Sequence, residues 1–170
     1  TAILELQARF DEEANIKYGN ILREEGVKVL YGVPGLKVHA KLCLIERMEG
    51  RETTHIACVG TGNFNESTAR LYTDTMIMTA DRKITKEIIK IIDFFNRTYQ
   101  KEQFYHLFVS PFNTRQKLNK LITTETENAQ KGLPAFIHLK LNNLVDVEII
   151  NLLYQAAKAG VEVKLNIRGM

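Results

Sequence analysis

The stretch AILELQARFDEEANIKYGNILREEGVKVLYG, residues 2–32, decides the fold, because its parts carry the signatures of different secondary-structure elements. It opens with an apolar run, continues with apolar residues at helical spacing, and returns to a Val-x-Val pattern after Gly26. Acidic residues at the start of the periodic part favour the positive end of a helix, and the glycine that follows is a natural helix C-cap. The stretch therefore predicts a strand, a helix over 11–25 and a second strand parallel to the first.

The same pattern returns as FIHLKLNNLVDVEIINLLYQAAKAGVEVKLNIRG, residues 136–169. The offset that aligns Gly26 with Gly160 also aligns Ile3 with Ile137 and Val29 with Val163. Predicted strands run up to both ends of the chain. We therefore interpret the chain as a piece of a longer protein. We therefore expect an α/β chain with one complete half over residues 1–100 and the first part of a second, similar half over residues 101–170.

Between the two copies, the sequence predicts a β-hairpin whose first strand is buried on both faces, a glycine-rich loop and a long amphipathic helix. A polar connector over 97–104 is the expected boundary between the halves. The predicted elements are strands over 39–47, 54–59, 72–79 and 107–110, and helices over 84–96 and 113–130.

The composition excludes some functions. The chain has 170 residues, of which 45% are hydrophobic and 25% charged, with a net charge of +3. No apolar run approaches the roughly 20 residues that cross a bilayer, and the charge is too small for a dedicated nucleic-acid-binding protein. Cys43 and Cys58 lie in apolar, strand-like runs, so we expect two buried free thiols in a reducing, intracellular location.

The motif Leu36-Lys37-Val38-His39-Ala40-Lys41 contains the first candidate for chemistry. Residues two apart in a strand project from the same face, so His39 and Lys41 are expected to lie side by side. An imidazole can attack phosphorus, and a neighbouring ammonium can hold a phosphate oxygen. A plain structural histidine is the alternative interpretation.

The second candidate is the loop Gly60-Thr61-Gly62-Asn63-Phe64-Asn65, which directly follows a predicted strand. Glycines allow backbone N–H groups to approach an anion, and the Asn63 amide can donate a further hydrogen bond to a phosphate. An ordinary turn is the alternative here. A His-x-Lys motif followed by Gly-Thr-Gly-Asn is the pattern of half a phospholipase-D-like site.

Five segments carry a family resemblance that covers nearly the whole chain in the right order: ARFDEEANI (8–16), GLKVHAK (35–41), GTGNFNESTARLYTD (60–74), LFVSPFN (107–113) and GVEVKLNIRG (160–169). Together they resemble the polyphosphate kinases of the large, phospholipase-D-like type. The resemblance implies a mixed sheet flanked by helices and a reversible transfer of the terminal phosphate of ATP to inorganic polyphosphate. It also implies that His39 is the phosphohistidine nucleophile, with Lys41 as a point charge beside it.

The resemblance implies further partners. Arg9, Tyr72 and Arg168 would contact the nucleotide or its phosphates, and Mg²⁺ would arrive with ATP. Arginine has no acceptor atom, so Arg9 could only lie beside the metal–phosphate cluster. The implied full-length protein is a cytoplasmic homo-oligomer, with a peripheral position at the inner membrane as an alternative. A second active-site histidine would come from residues beyond Met170.

Two other functions remain open at this point. A phosphodiesterase or phosphatidyl transferase of the same fold would use an acidic residue separated from the motif lysine by four residues, and this chain has Glu46 there. A non-catalytic binding module is the other possibility. His55, His106 and His138 lack the Gly-Asn loop that follows the His39 strand, and we expect them to be structural or surface residues.

Overall fold

The computed structural model describes residues 1–5, 12–33, 35–97 and 102–169. The chain divides into two compact units, Thr1–Glu102 and Gln103–Met170. Both units contain helices and strands, as expected of an α/β chain. Within the described ranges, no helix is long and apolar enough to span a membrane.

The first unit begins with the predicted strand–helix–strand arrangement. Strand β1 (Ala2–Leu4) leads to helix α1 (Glu12–Glu24), and strand β2 (Val29–Tyr31) then pairs with β1 in parallel. Gly26 has a φ angle of +77°. This left-handed conformation at the helix C-terminus suits glycine because it has no Cβ, so the predicted helix end is confirmed.

A β-hairpin follows. Strand β3 (Lys41–Glu49) and strand β4 (Glu52–Gly60) pair antiparallel along their full length, and a two-residue turn at Gly50 joins them. The hairpin was predicted, but its first strand was expected to begin at residue 39. The structure places His39 in the extended segment before β3, and only Lys41 lies on the strand.

The segment after the hairpin differs more from the prediction. A short helix α2 (Glu66–Ala69) follows the glycine-rich loop, and the Asn65 side chain accepts a hydrogen bond from the backbone N–H of Thr68 at 3.0 Å. Strand β5 (Met76–Thr79) then pairs antiparallel with β4. The predicted strand over 72–79 was therefore too long, because Tyr72 lies in the turn that ends α2.

Helix α3 (Arg82–Asn96) contacts β3 and β4 and covers one face of the hairpin. On that face Ala57 is fully buried and pairs with Leu44. The other face is open, and it carries Cys43 and Ile45, both of which are exposed. We expected β3 to be buried on both faces and Cys43 to be buried with it, and both expectations were wrong.

The second unit repeats the strand–helix–strand arrangement. Helix α4 (Thr114–Gln130) comes first, followed by strand β6 (Phe136–Asn143), helix α5 (Val147–Lys158) and strand β7 (Glu162–Gly169), which pairs with β6 in parallel. Its core lies between the two helices and the strands. The buried residues of this core are Ile122, Ile137, Ile149, Leu153, Ala156 and Val161.

The two copies of the repeat differ in register. Val29 pairs with Ala2 in the first unit, whereas its counterpart Val163 pairs with Ile137 in the second. The sequence offset instead matches Ile137 with Ile3, so the first strands of the copies are displaced by one residue relative to the alignment.

Residues 107–110 form no strand, which corrects another expectation. Asn113 organises this segment instead. Its side-chain amide donates to the carbonyl oxygens of Phe104 and Leu107, at 2.7 Å and 3.1 Å, and its side-chain oxygen accepts from the backbone N–H of Val109 at 2.8 Å. A side chain thus satisfies backbone groups that a neighbouring strand would otherwise bind.

Candidate active site

A cleft of about 520 Å³ lies beside the end of β1 in the first unit. Its walls come from β1, from α1, from the segment before β3 and from the loop after β4. Among the described residues that line it, every polar side chain but one carries a basic, aromatic-hydroxyl or amide group, and the exception is a carboxylate. The polar residues that line it are Glu5, Asn15, Tyr18, Lys37, His39, Lys41, Asn63 and Asn65.

His39 and Lys41 are in direct contact in this cleft. The Nζ atom of Lys41 lies 3.0 Å from Nδ1 and 3.2 Å from Nε2 of His39. The same ammonium donates a hydrogen bond of 2.8 Å to the backbone carbonyl oxygen of His39. The juxtaposition predicted from the His-x-Lys spacing is therefore present, although His39 precedes the strand.

The environment of His39 favours a neutral imidazole. Partial burial lowers the pKa of His39 below its ordinary value of 6.5, and the positive charges of Lys41 and Lys37 lower it further. Burial also lowers the pKa of Lys41, while the negative charge of Asp74 acts in the opposite direction. A neutral ring beside an ammonium combines a nucleophilic nitrogen with a group that can bind an anionic oxygen.

Glu5 positions the segment that carries His39, and sequence reasoning missed it. Its Oε2 atom accepts a hydrogen bond of 2.8 Å from the backbone N–H of Val38. Its own backbone carbonyl accepts a 2.8 Å bond from the side-chain amide of Asn15 on α1. Glu5 directly follows β1, and ligand sites of α/β proteins gather at such strand ends, which is the signal that could have identified it.

The glycine-rich loop is held from outside the cleft. The Thr61 hydroxyl donates a hydrogen bond of 2.9 Å to the Asp74 carboxylate and accepts one of 3.0 Å from the backbone N–H of Thr75. The backbone N–H of Thr61 donates a further 3.0 Å bond to the Thr75 carbonyl oxygen. A Cβ atom on Gly62 would overlap the Asp74 carboxylate, so only glycine fits there. These contacts hold the loop whose Asn63 lines the cleft together with His39 and Lys41.

The other predicted phosphate contacts are Tyr72, Arg168 and Arg9. Tyr72 is 56% exposed and is not one of the cleft-lining residues, although its backbone N–H bonds to Thr68 at 3.1 Å. Arg168 is exposed near the end of β7 in the second unit. Arg9 lies outside the described residues.

Glu46 does not contribute to the cleft. Its Oε2 atom lies 2.9 Å from Nε2 of His55, its direct partner across the hairpin. Lys41 and Glu46 are separated by an odd number of positions on β3, so their side chains project from opposite faces. Glu46 therefore does not supply the acidic group that a phosphodiesterase of this fold would use.

The donor atoms do not form a metal site held by the protein alone. Among the residues that the structure describes, no group of three or more His, Cys, Asp or Glu side chains could hold a metal ion. Glu5, the one carboxylate among the described residues of the cleft, already accepts a hydrogen bond from Val38. Mg²⁺ requires several oxygen ligands, and this arrangement does not provide them.

The chain matches known proteins in both of its units. Residues 1–103 match the family described as Polyphosphate kinase C-terminal domain 1, and residues 107–170 match Polyphosphate kinase C-terminal domain 2. Proteins named polyphosphate kinase from Salmonella typhimurium and Escherichia coli K12 are each 52% identical over all 170 residues, and one from Vibrio parahaemolyticus is 48% identical.

The alignments cover the whole chain but only 24–25% of these three relatives, so the chain spans about a quarter of their length. The crystal structure of the polyphosphate kinase from Porphyromonas gingivalis is 38% identical, with a TM-score of 0.83, and the match covers 100% of this chain and 29% of that one. The agreement of sequence and backbone across both units shows that the chain belongs to the polyphosphate kinase family.

Proposed function

We propose that the protein containing this chain is a polyphosphate kinase that reversibly transfers the terminal phosphate of ATP to inorganic polyphosphate, with His39 as the phosphorylated intermediate. One observation carries the assignment of His39: it is an imidazole with a lowered pKa in contact with a lysine ammonium. The polyphosphate kinase names of the relatives support the substrates.

The first step is an attack of a neutral His39 ring nitrogen on the terminal phosphorus of ATP. An N–P bond forms while the bond from phosphorus to the bridging oxygen breaks, and ADP leaves with the electron pair. In the second step, a terminal oxygen of polyphosphate attacks the same phosphorus and the imidazole is restored. Each step is reversible, because similar phosphoryl groups are exchanged in both.

Lys41 stabilises the charge that the transferred phosphoryl group carries. Phosphoryl transfer depends mostly on positioning and on neutralising oxygen charge. The ammonium of Lys41 already lies within hydrogen-bonding distance of His39, so an oxygen of a phosphoryl group on His39 is within reach of it. Asn63, which also lines the cleft, provides an amide donor.

The nucleotide contacts extend beyond the described cleft. Arg9, Tyr72 and Arg168 are proposed to bind the nucleotide or its phosphates, since arginine can bind phosphate oxygens with two parallel hydrogen bonds. Mg²⁺ would enter with ATP and be held by phosphates and water. We further propose a phospholipase-D-like fold and a homo-oligomeric assembly for the full-length protein.

Labelling of the full-length protein with ATP that carries a radioactive γ-phosphate tests the assignment. The expected product is a protein-bound phosphate that is labile in acid and stable in base, maps to His39 and is lost in His39→Ala. The matched control is His55→Ala, which removes a histidine of the same unit that is bonded to Glu46 outside the cleft. Full labelling of His39→Ala would exclude His39 as the nucleophile.

A further inference from the structure

Three sulfur-containing side chains lie in one row across the three-stranded sheet of the first unit. Cys43 on β3 is the direct partner of Cys58 on β4, and Cys58 is in turn the direct partner of Met78 on β5. Directly paired residues of antiparallel strands project from the same face of a sheet. The two thiols and the thioether are therefore neighbours on one surface.

This row is accessible in the first unit. It lies on the face of the hairpin opposite the buried Ala57. Cys43 is exposed, Cys58 is partly exposed, and neither forms a disulfide. Met78 is 71% exposed.

The strand geometry sets the distance between the thiols. Glu49 and Glu52 are direct partners that flank the two-residue turn. Residues in that position form a hydrogen-bonded pair, and such pairs alternate along an antiparallel ladder. Cys43 lies an even number of residues from Glu49, so Cys43 and Cys58 also form a hydrogen-bonded pair, with Cα atoms about 5.5 Å apart. Their Cβ atoms are then at the wide end of the usual cross-strand range of about 4.5–5.5 Å.

This spacing suits a bridging ion better than a disulfide. A disulfide requires Cβ atoms about 3.5–4.5 Å apart and a sulfur–sulfur bond of about 2.05 Å. An ion bonded to both sulfurs spans a longer gap, since one metal–thiolate bond alone measures about 2.3 Å in zinc sites. Structural zinc requires four ligands, and no cluster of three or more His, Cys, Asp or Glu accompanies the cysteines in the described ranges.

We propose that Cys43, Cys58 and Met78 form a binding site for a soft, thiophilic ion, and that this ion is Cu(I). Thiolate and thioether sulfurs are the ligands that select Cu(I) over harder cations. On binding, each thiol releases one proton to solvent, two thiolate–copper bonds form, and the Met78 sulfur completes a three-sulfur set. Copper keeps its oxidation state, so no oxidant or reductant is consumed.

The test uses the reduced full-length protein under anaerobic conditions, with Cu(I) supplied as its coloured bicinchoninate complex. Loss of colour reports transfer of copper to the protein. We expect wild type to take up one equivalent of Cu(I). Cys43→Ser and Cys58→Ser should each bind copper on the order of 100-fold more weakly than wild type, and Met78→Leu on the order of 10-fold more weakly. X-ray absorption should count three sulfur neighbours in wild type and two in Met78→Leu.

Met48→Leu is the matched control, because Met48 is also exposed, at 65%, on the same hairpin but pairs with Thr53. This variant should bind copper as wild type does. Copper binding is also measured in Cys43→Ala and Cys58→Ala. Thermal unfolding of all variants then distinguishes the loss of a copper ligand from the loss of the fold. Equal copper binding by wild type and both sets of cysteine variants would overturn the proposal, as would equal losses in Met48→Leu and Met78→Leu.

Discussion

The ammonium nitrogen of Lys41 lies 3.0 Å from Nδ1 and 3.2 Å from Nε2 of His39, and it also donates a hydrogen bond to the His39 carbonyl oxygen. One cation therefore contacts both the ring and the backbone of the proposed nucleophile. It fixes the position of the imidazole and disfavours its protonated form. Phosphorylation of His39 is to be measured in the full-length protein.

Replacing Lys41 should remove a charge that the transferred phosphate needs. We expect Lys41→Met to slow phosphorylation of His39 by about 10²–10³-fold, the usual cost of losing one preorganised donor at a developing anion. Lys41→Arg should recover part of this loss because it keeps the charge. The matched control is Lys86→Met on the exposed surface of α3, and a similar loss in that variant would contradict a specific role for Lys41.

The pH dependence follows from the lowered pKa of His39. Its imidazole should stay neutral at pH 7 and gain a proton only as the pH falls through a pKa below 6.5, because burial, Lys41 and Lys37 disfavour the imidazolium. The rate of phosphorylation should therefore fall only below that pH. An NMR titration of the His39 ring measures the midpoint, and Lys37→Ala should raise it towards 6.5. A wild-type midpoint above 6.5 would contradict the argument.

Gly62 should not tolerate a side chain. A Cβ atom there would overlap the Asp74 carboxylate, so Gly62→Ala must displace the loop that carries Asn63 or break the bond between Asp74 and Thr61. We expect a loss of about 1–3 kcal/mol in unfolding free energy together with slower phosphorylation, measured by denaturant unfolding and by labelling.

Gly50→Ala is the control for that substitution. Gly50 has a φ angle of +67° with open space around its Cα, so a side chain there strains the backbone by about 1–2 kcal/mol at the far end of the hairpin. Stability should fall while phosphorylation is retained. If both glycine variants lost phosphorylation equally, the effect would come from stability alone.

The sequence correctly predicted the secondary-structure elements that depend on the spacing of neighbouring residues. Helices α1, α3, α4 and α5 have apolar residues at helical spacing, and Gly26 and Gly160 end their helices with positive φ angles, as predicted. The pairing of His39 with Lys41 was also predictable, since it depends on two neighbouring residues. Glu5 was not, because its contact with Val38 joins residues far apart in the chain.

The errors arose where tertiary contacts override an apolar run. The run at 107–110 has a strand-like composition, but Asn113 binds its backbone groups and removes the need for a partner strand. Cys43 was expected to be buried because its neighbours are apolar. Its exposure depends on α3, which covers only the opposite face of the hairpin, and one strand's sequence does not specify that.

Glu46 provides a test against the phosphodiesterase alternative. It bonds to His55 at 2.9 Å outside the cleft, so Glu46→Gln should leave phosphorylation of His39 unchanged. Stability should fall by at most about 1 kcal/mol, the net contribution of a typical hydrogen bond. Labelling and thermal unfolding measure the two effects, and a loss of more than tenfold in labelling would return Glu46 to the catalytic residues.

Glu5 should act as a positioning residue for His39. Glu5→Ala leaves the Val38 N–H without its carboxylate partner, and an unsatisfied partly buried donor costs about 1–3 kcal/mol. Since a displacement of about 1 Å in a reacting group can cost on the order of 10²-fold in rate, we expect phosphorylation to slow by roughly tenfold or more. Glu5→Gln keeps a side-chain oxygen acceptor and should lose less.

The control for Glu5 is Glu52→Ala, which removes an exposed carboxylate 4.0 Å from Arg82 at the hairpin turn. It should label as wild type does. The NMR signal of the His39 ring separates positioning from a general loss of stability. In Glu5→Ala that signal should shift or broaden while the second unit, with its own core around Ile149 and Leu153, keeps its spectrum. An unchanged His39 signal with normal labelling would show that Val38 holds its position without Glu5.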